Sequence, residues 1–169
     1  MYRLLLVAAA FLTSVLSAES PLGSIRIKVF LSPAGSFLAV SHALAVESPQ
    51  FDGKAYTAKA LRVPIDSFDT EISLRNEHFK KRLGFDKYKE VVVSNVRAIL
   101  GGKGSATIEI AGNKKDFEFS HSEDKSTARA NFEFNIAEDF KITDVKYAGL
   151  GVKDRVEIEV SIPMSALAP

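Results

Sequence analysis

The densest set of chemistry-bearing side chains lies between residues 66 and 78, where Asp66, Asp69 and Glu71 precede Arg75 and His78 in the stretch SLRNEHFKKRLG. A guanidinium and an imidazole about one helical turn apart share a face. Together they suit either catalysis or hydrogen bonding to a head group, for instance a pyrophosphate or quinone oxygen. The crowded carboxylates invite an acid–base or hard-metal assignment. A plainer assignment competes with both: Arg75 and His78 cap or pack the helix, and the Ser and Asp of the preceding turn satisfy backbone amides at the helix start.

Other chemistries find little support. Cysteine is absent, which removes disulfides, thiolate zinc sites and cysteine nucleophiles together. His42, His78 and His121 are far apart in sequence and form no His-x-x-x-His pair. No Gly-x-Ser-x-Gly elbow occurs, and the GGKG segment at 101–104 lacks the spacing of a phosphate-binding loop. No catalytic residue, metal or cofactor is expected, and the chain reads as non-enzymatic. The formal charge is +1, and with Arg3 set aside the rest carries 21 basic against 21 acidic side chains. Without a basic stripe, nucleic acid is not an expected partner.

The elements that must position these residues are mostly strands. Ile25, Ile27, Val29 and Leu31 alternate with Arg26 and Lys28, and a second run sets Leu38, Val40, Leu44 and Val46 on one side. Further runs follow at Ala55–Ile65, at Val91–Ile99 and at Ala106–Ile110. The AGNKK turn at 111–115 then leads to Phe117 and Phe119. A polar loop, SHSEDKST at 120–127, precedes Ala130, Phe132, Phe134 and Ile136, and the charged stretch 121–129 reads as solvated surface. The last run carries Val156, Ile158, Val160 and Ile162.

One helix is predicted around Leu74–Leu83, with Leu74, His78, Phe79 and Leu83 on one side, Thr70 or Ser73 as its cap, and Gly84 as its terminator. Eight antiparallel strands with one inserted helix fit a closed barrel better than a parallel sheet. Such a barrel abolishes sheet edges and has room for one small ligand. Twelve Phe, four Tyr and no Trp give that interior rings of little polarity.

The amino terminus, MYRLLLVAAAFLTSVLSA, has a basic start at Arg3, an apolar run from Leu4 to Leu12, and small residues at Ser17 and Ala18. This is a signal-peptide pattern with cleavage after Ala18, too short in its apolar part to make a stable membrane span. The expected organisation is a leader over 1–18 and one domain over 19–169, with the mature chain periplasmic or secreted.

The stretch LRVPIDSFDTEISLRNEHFKKRLGFDKYKEVVVS, with Ser67, Thr70, Arg75, His78 and Phe79, resembles the YceI-like family. GSATIEIAGNKKDFEF at 104–119 and FKITDVKYAGLGVKDRVEIEVSIP at 140–163 are similar to its hairpin and closing strands, whereas Asn76 stands where many relatives have Asp. The resemblance implies an all-β, lipocalin-like eight-stranded antiparallel barrel whose elongated apolar cavity holds a polyisoprenoid or another long-chain lipid. Export to the bacterial periplasm is usual in the family. The candidate lining is Phe117, Phe119, Phe132 and Phe134, with Leu38, Val40, Val156 and Ile158 from other strands and Phe79 and His78 from the helix. The alternative is a structural or interaction protein of the envelope whose barrel is filled by its own rings and holds no ligand. A monomer or homodimer is expected.

Overall fold

In β1 (Gly23–Ser32) the side chains of Ile25, Val29 and Leu31 are buried and Arg26 is exposed, as period-two alternation demands of a strand with one dry face. The structure, a computed structural model, describes residues 22–143, 145–147 and 149–167. The leader expected over residues 1–18 lies outside the described residues.

The chain continues through β2 (Ser36–Glu47), the two-residue β3 (Gln50–Phe51) and β4 (Ala55–Pro64). It then makes a short 3-10 turn over Ile65–Ser67 and enters helix α1 (Ser73–Arg82). The meander β5 (Glu90–Ile99), β6 (Lys103–Ile110), β7 (Asn113–Glu123) and β8 (Thr127–Asn135) follows. The chain ends with α2 (Ile136–Phe140), the two-residue β9 (Lys146–Tyr147), β10 (Leu150–Pro163) and α3 (Met164–Leu167). Among the described residues the eight long strands pair antiparallel in the order β1, β2, β4, β5, β6, β7, β8, β10, and β10 returns to pair with β1. The sheet is therefore a closed eight-stranded barrel, whose shortest seams are β2 with β4 at Ala45–Glu47 and β7 with β8 at Ser120–Glu123.

The closing seam shows how sequence sets register. Ile25, Ile27 and Val29 stand opposite Val160, Ile158 and Val156 on the inner face, while Arg26 and Lys28 stand opposite Glu159 and Glu157 on the outer face. Both outer pairs lie at ion-pair distance, 3.9 Å each. A one-residue slip would expose the inner aliphatics and bury the charges.

Three expectations are corrected. The first concerns β2, where Leu38 and Val40 pair with Lys28 and Arg26 on the outer face, and Leu38 is 40% exposed. The inward residues are Phe37, Ala39 and Ser41 instead. Between Gly23 and Ile25 of β1 the partners on β2 jump from Leu44 to Ser41, so one extra residue on β2 resets the parity and turns Leu44 inward.

The second correction falls on the stretch 120–127. It is strand rather than loop except at its tip, because Asp124 accepts the amide N–H groups of Ser126 and Thr127 and closes the hairpin in three residues. The third falls on the helix face: Leu74 is 63% exposed, and the inward stripe runs through Arg75, Phe79 and Leu83. No side chain caps this helix, and Gly84 follows it in the left-handed region at φ 76°.

Phe140 at the end of α2 is 1% exposed and meets Phe134 edge-to-face at 5.1 Å, which plugs one end of the core. Phe140→Ala should cost about 3–5 kcal/mol, the usual range for a buried ring, read from denaturant midpoints. A loss within experimental error would show that α2 does not hold the barrel end. A second outcome concerns pH. Hydrogen bonding from the Arg129 side chain, then from the Ser126 and Thr127 groups, holds the Asp124 carboxyl well below the usual carboxylate range. A carboxyl lowered on folding contributes stability above its unfolded value, about 4, and loses it as pH falls through the folded value. Asp124→Asn should thus unfold at lower denaturant than the parent at pH 7, with the gap closing below about pH 4. Equal midpoints at pH 7 would show that the hairpin does not depend on that charge.

Candidate functional site

Most inward-facing positions are aliphatic or aromatic, so the barrel encloses space with little polar surface. That space is divided along the barrel axis into two compartments of about 100 Å³ each. The larger part of the wall of the first comes from β4 to β8, with Phe117, Phe119, Phe132, Ile158 and Val160 among its lining. The second lies toward α1 and is lined by Val29, Phe37, Phe79, Phe134, Phe140 and Val156. Ile158 belongs to both and forms part of the partition. Phe134 completes it, with its ring 5.5 Å from Phe132 and 5.1 Å from Phe117.

Of the residues expected to line a cavity, Phe117, Phe119, Phe132 and Ile158 stand in the first compartment, and Phe134, Val156, Phe79, His78 and again Ile158 in the second. Leu38 and Val40 stand in neither, because the parity of β2 sends them outside. Leu38 borders a solvent-facing groove with Arg26 and Glu159. Ala39 and Phe37 take their places on the inner face, a substitution that the bulge on β2 hides from a reading of alternation alone.

Phe119 is seated by a glycine. Gly104 stands opposite it across β6 and β7, and a methyl group built on Gly104 would fall 2.2 Å from the Phe119 ring and 2.9 Å from the Arg97 carbonyl. Only a residue without Cβ lets the ring lie flat over the neighbouring backbone.

The polar residues at the two ends differ in kind. At the first compartment His121 donates from Nε2 to the Ile99 carbonyl at 2.9 Å and has Nδ1 3.4 Å from Glu123, and Arg129 pairs with Asp124 at 2.7 Å. These three lining residues, His121, Glu123 and Arg129, belong to the stretch that reads as solvated loop in sequence. Only their alternation with Ala128 and Ala130 carries a strand signal. At the second compartment the lining polar residues are Arg75, His78, Arg82 and Lys146.

The motif residues around α1 form a hydrogen-bonded latch. Ser67 donates to the Pro64 carbonyl at 2.6 Å and lies 2.6 Å from the Ser41 hydroxyl on β2. Val40 and Asp69 exchange both backbone hydrogen bonds at 2.8 Å. Asn76 accepts the Thr70 amide at 2.7 Å and the Thr70 hydroxyl at 2.5 Å, while its own amide donates to Asp69 at 3.0 Å. Hydrogen bonds from Asn76 and from the Glu71 amide hold the Asp69 carboxyl below its ordinary range. Arg75 donates to the Thr70 carbonyl at 2.9 Å and lies over the Phe37 ring at 4.5 Å. These contacts fix α1 across the mouth of the second compartment. Asp66, Asp69 and Glu71 converge on no shared point, and among the described residues no group of three metal-ligating side chains comes together.

Eight antiparallel strands closed around a dry interior, with a helix bolted across one mouth, define a lipocalin-like barrel. The YceI-like domain family matches residues 17–164, and the chain belongs to that family. Among solved structures it is similar to a polyisoprenoid binding domain from Saccharophagus degradans implicated in plant cell wall breakdown. The TM-score is 0.58 at 13% identity, over 85% of this chain and 93% of that one. It is also similar to BcnA of Burkholderia cenocepacia, with TM-score 0.59 and 16% identity over 81% of this chain and 94% of that one. At these identities the likeness concerns the fold. A search of curated proteins finds no match to the chain.

Gly104→Ala should destabilise the barrel by about 1–3 kcal/mol, as expected of overpacking, because the Phe119 ring and the Arg97 backbone must both shift. Unchanged stability, with the Phe119 ring signals in a proton spectrum also unmoved, would show that the ring does not rest on that backbone.

Proposed function

We propose that the chain is an exported, non-enzymatic binding protein that holds a polyisoprenoid or another long-chain apolar lipid inside its barrel. The observation that carries this reading is the pair of dry compartments in series along the axis, lined by Phe, Val and Ile side chains. A chain laid through them gains roughly 0.8 kcal/mol for each methylene removed from water. The likeness to a polyisoprenoid binding domain from Saccharophagus degradans supports the same reading. Export is supported by the leader pattern at 1–18.

A specific observation favours a second reading, in which the barrel is filled and the protein acts through its surface. Each compartment holds about 100 Å³, below the roughly 300–1,000 Å³ of ordinary ligand sites. Under the carrier reading the Phe132, Phe134 and Phe117 rings must swing to join the two spaces when a chain enters.

Organic extraction of the purified protein followed by mass spectrometry separates the two readings. A lipid chain recovered at near one per protein supports the carrier, whereas repeated preparations free of lipid favour the filled barrel. The intact mass of the same samples should correspond to a chain beginning at Glu19. A mass that retains residues 1–18 in protein recovered from the periplasm or medium would overturn the leader assignment.

A further inference from the structure

The barrel wall is not knit equally tightly around its circumference. β7 is paired with β6 over residues 113–120, and β8 is paired with β10 along its whole length. Between β7 and β8, however, the ladder runs only from Glu123 and Ala128 beside the hairpin tip to Ser120 and Asn131, where it stops. Continued in register, it would set Glu118 against Glu133 on the outer face. Like charges directly opposite one another weaken a strand pair, and Glu133 turns instead to Arg155 at 2.8 Å. Each strand is thus held by its other neighbour, and the seam parts below the hairpin.

Rings rather than backbone close the wall there. Phe117 of β7 and Phe132 of β8 meet across the seam with centroids 4.7 Å apart. Phe117, Phe119 and Phe132 line the first compartment and yet are only half-buried, whereas Ile25, Ile158 and Val160 elsewhere in its lining are buried. Below the rings α2 straps the two sides together. Lys115, on the same face of β7 as Phe117, meets Asp139 at 2.8 Å, and the Asn113 side chain donates to the Phe140 carbonyl at 2.9 Å. The other short seam, β2 with β4, differs in being backed by the Ser41 to Ser67 contact and the reciprocal Val40 and Asp69 bonds.

Resting on the carrier reading above, we infer that an apolar chain passes into and out of the barrel sideways, through the seam between β7 and β8. The Phe117 and Phe132 rings are its gate and α2 is its strap. Opening this stretch breaks no ladder between the two strands; it exchanges ring contacts and releases the contacts of Lys115 and Asn113 with α2. Segments held by few backbone bonds are where a fold opens locally at least cost. Phe117 and Phe132 also flank Phe134 at the partition, so the displacement that opens the seam joins the two compartments as well. A chain laid in from the side reaches both spaces without being threaded past Ile158.

Because cysteine is absent from the sequence, introduced thiols can be bridged selectively. The double variant Lys115→Cys, Asp139→Cys, joined by a reducible thiol cross-linker, ties α2 to β7. Arg26→Cys, Glu159→Cys, opposite each other on the fully paired β1 and β10 seam, is the control. With delipidated mature protein and cis-parinaric acid as the fluorescent probe, the tied seam should slow both binding and release about tenfold or more, while the equilibrium affinity changes little. Reduction should restore both rates, and the control bridge should leave them as in the parent. Where the first pair does not fold, Glu118→Lys replaces it: opposite charges across the seam should slow release, and an unchanged rate despite newly protected seam amides counts against the gate. Rates that the bridge between residues 115 and 139 leaves unchanged, or that the control bridge slows equally, overturn the inference while the carrier reading stands. Failure of the parent protein to bind either cis-parinaric acid or geranylgeraniol overturns both.

Discussion

Everything inside this molecule depends on the pairing of its first strand with its last. Until β1 and β10 join, the other strands form a curved sheet whose two edges expose unpaired backbone groups and whose inner face is open to water. The seam is specified on both faces at once, by Ile25, Ile27 and Val29 against Val160, Ile158 and Val156 inside and by Arg26 and Lys28 against Glu159 and Glu157 outside. The outer ion pairs are long and solvated, so their main role is to make the wrong register unfavourable rather than to add much stability. The pairing also joins residues far apart in sequence, Ile25 with Val160 for example, so its contacts must offset a large loop-closure cost.

A second constraint gives the barrel one distinctive end. The connection from β4 to α1 is held to β2 through Ser41, Ser67 and the reciprocal Val40 and Asp69 backbone bonds, and Thr70 and Asn76 lock the turn on itself. The residues that carry the family resemblance in sequence are mostly members of this latch. Their chemistry is spent on fixing a loop, and the consequence for function is indirect: the latch determines where α1 lies, and α1 presents Arg75, His78 and Arg82 to the mouth. Asn76 suits the position because it must accept from Thr70 and donate to Asp69 at once, which a carboxylate cannot do when ionised.

How much of this was legible in the amino-acid sequence follows from where the backbone stays regular. In β1, β6, β7, β8 and β10 the period of two runs through the buried positions, and the inner residues Phe117, Phe132, Phe134, Val156 and Ile158 can be assigned by parity. In β2 a single extra residue between Ser41 and Leu44 reverses parity, so Leu38 and Val40 look equivalent to Leu44 and yet lie on the outer face. The same device recurs in β5, where Asn95 takes φ 54° and the pairing jumps from Ser94 to Arg97. Polar composition misleads in the other direction at 120–127. There Ser, His, Glu and Thr belong to strands because Asp124 supplies a turn that confines the loop to three residues. The arrangement of α1 was legible as a helix and as a stop at Gly84, but not in its orientation. That orientation is fixed by tertiary contacts of Arg75, Phe79 and Leu83 and leaves Leu74 outside.

The abundance of Phe and the absence of Trp bear on how such an interior serves a guest. Phe117, Phe119, Phe132, Phe134 and Phe140 form a continuous run of ring contacts with centroids 4.7 to 6.5 Å apart, crossing the partition between the two compartments. None of these rings carries a hydrogen-bonding group that would have to find a new partner if it turned, as a Tyr or Trp would. Rotation of a Phe side chain therefore exchanges one set of apolar contacts for another. Under the carrier reading, a bound chain supplies the contacts that a displaced ring gives up, whereas an empty space of the same size would leave the lining atoms without partners. On that reading, a partition built from rings and one Ile is one that a guest can open. It thereby reconciles two small resting compartments with a single chain that would occupy both.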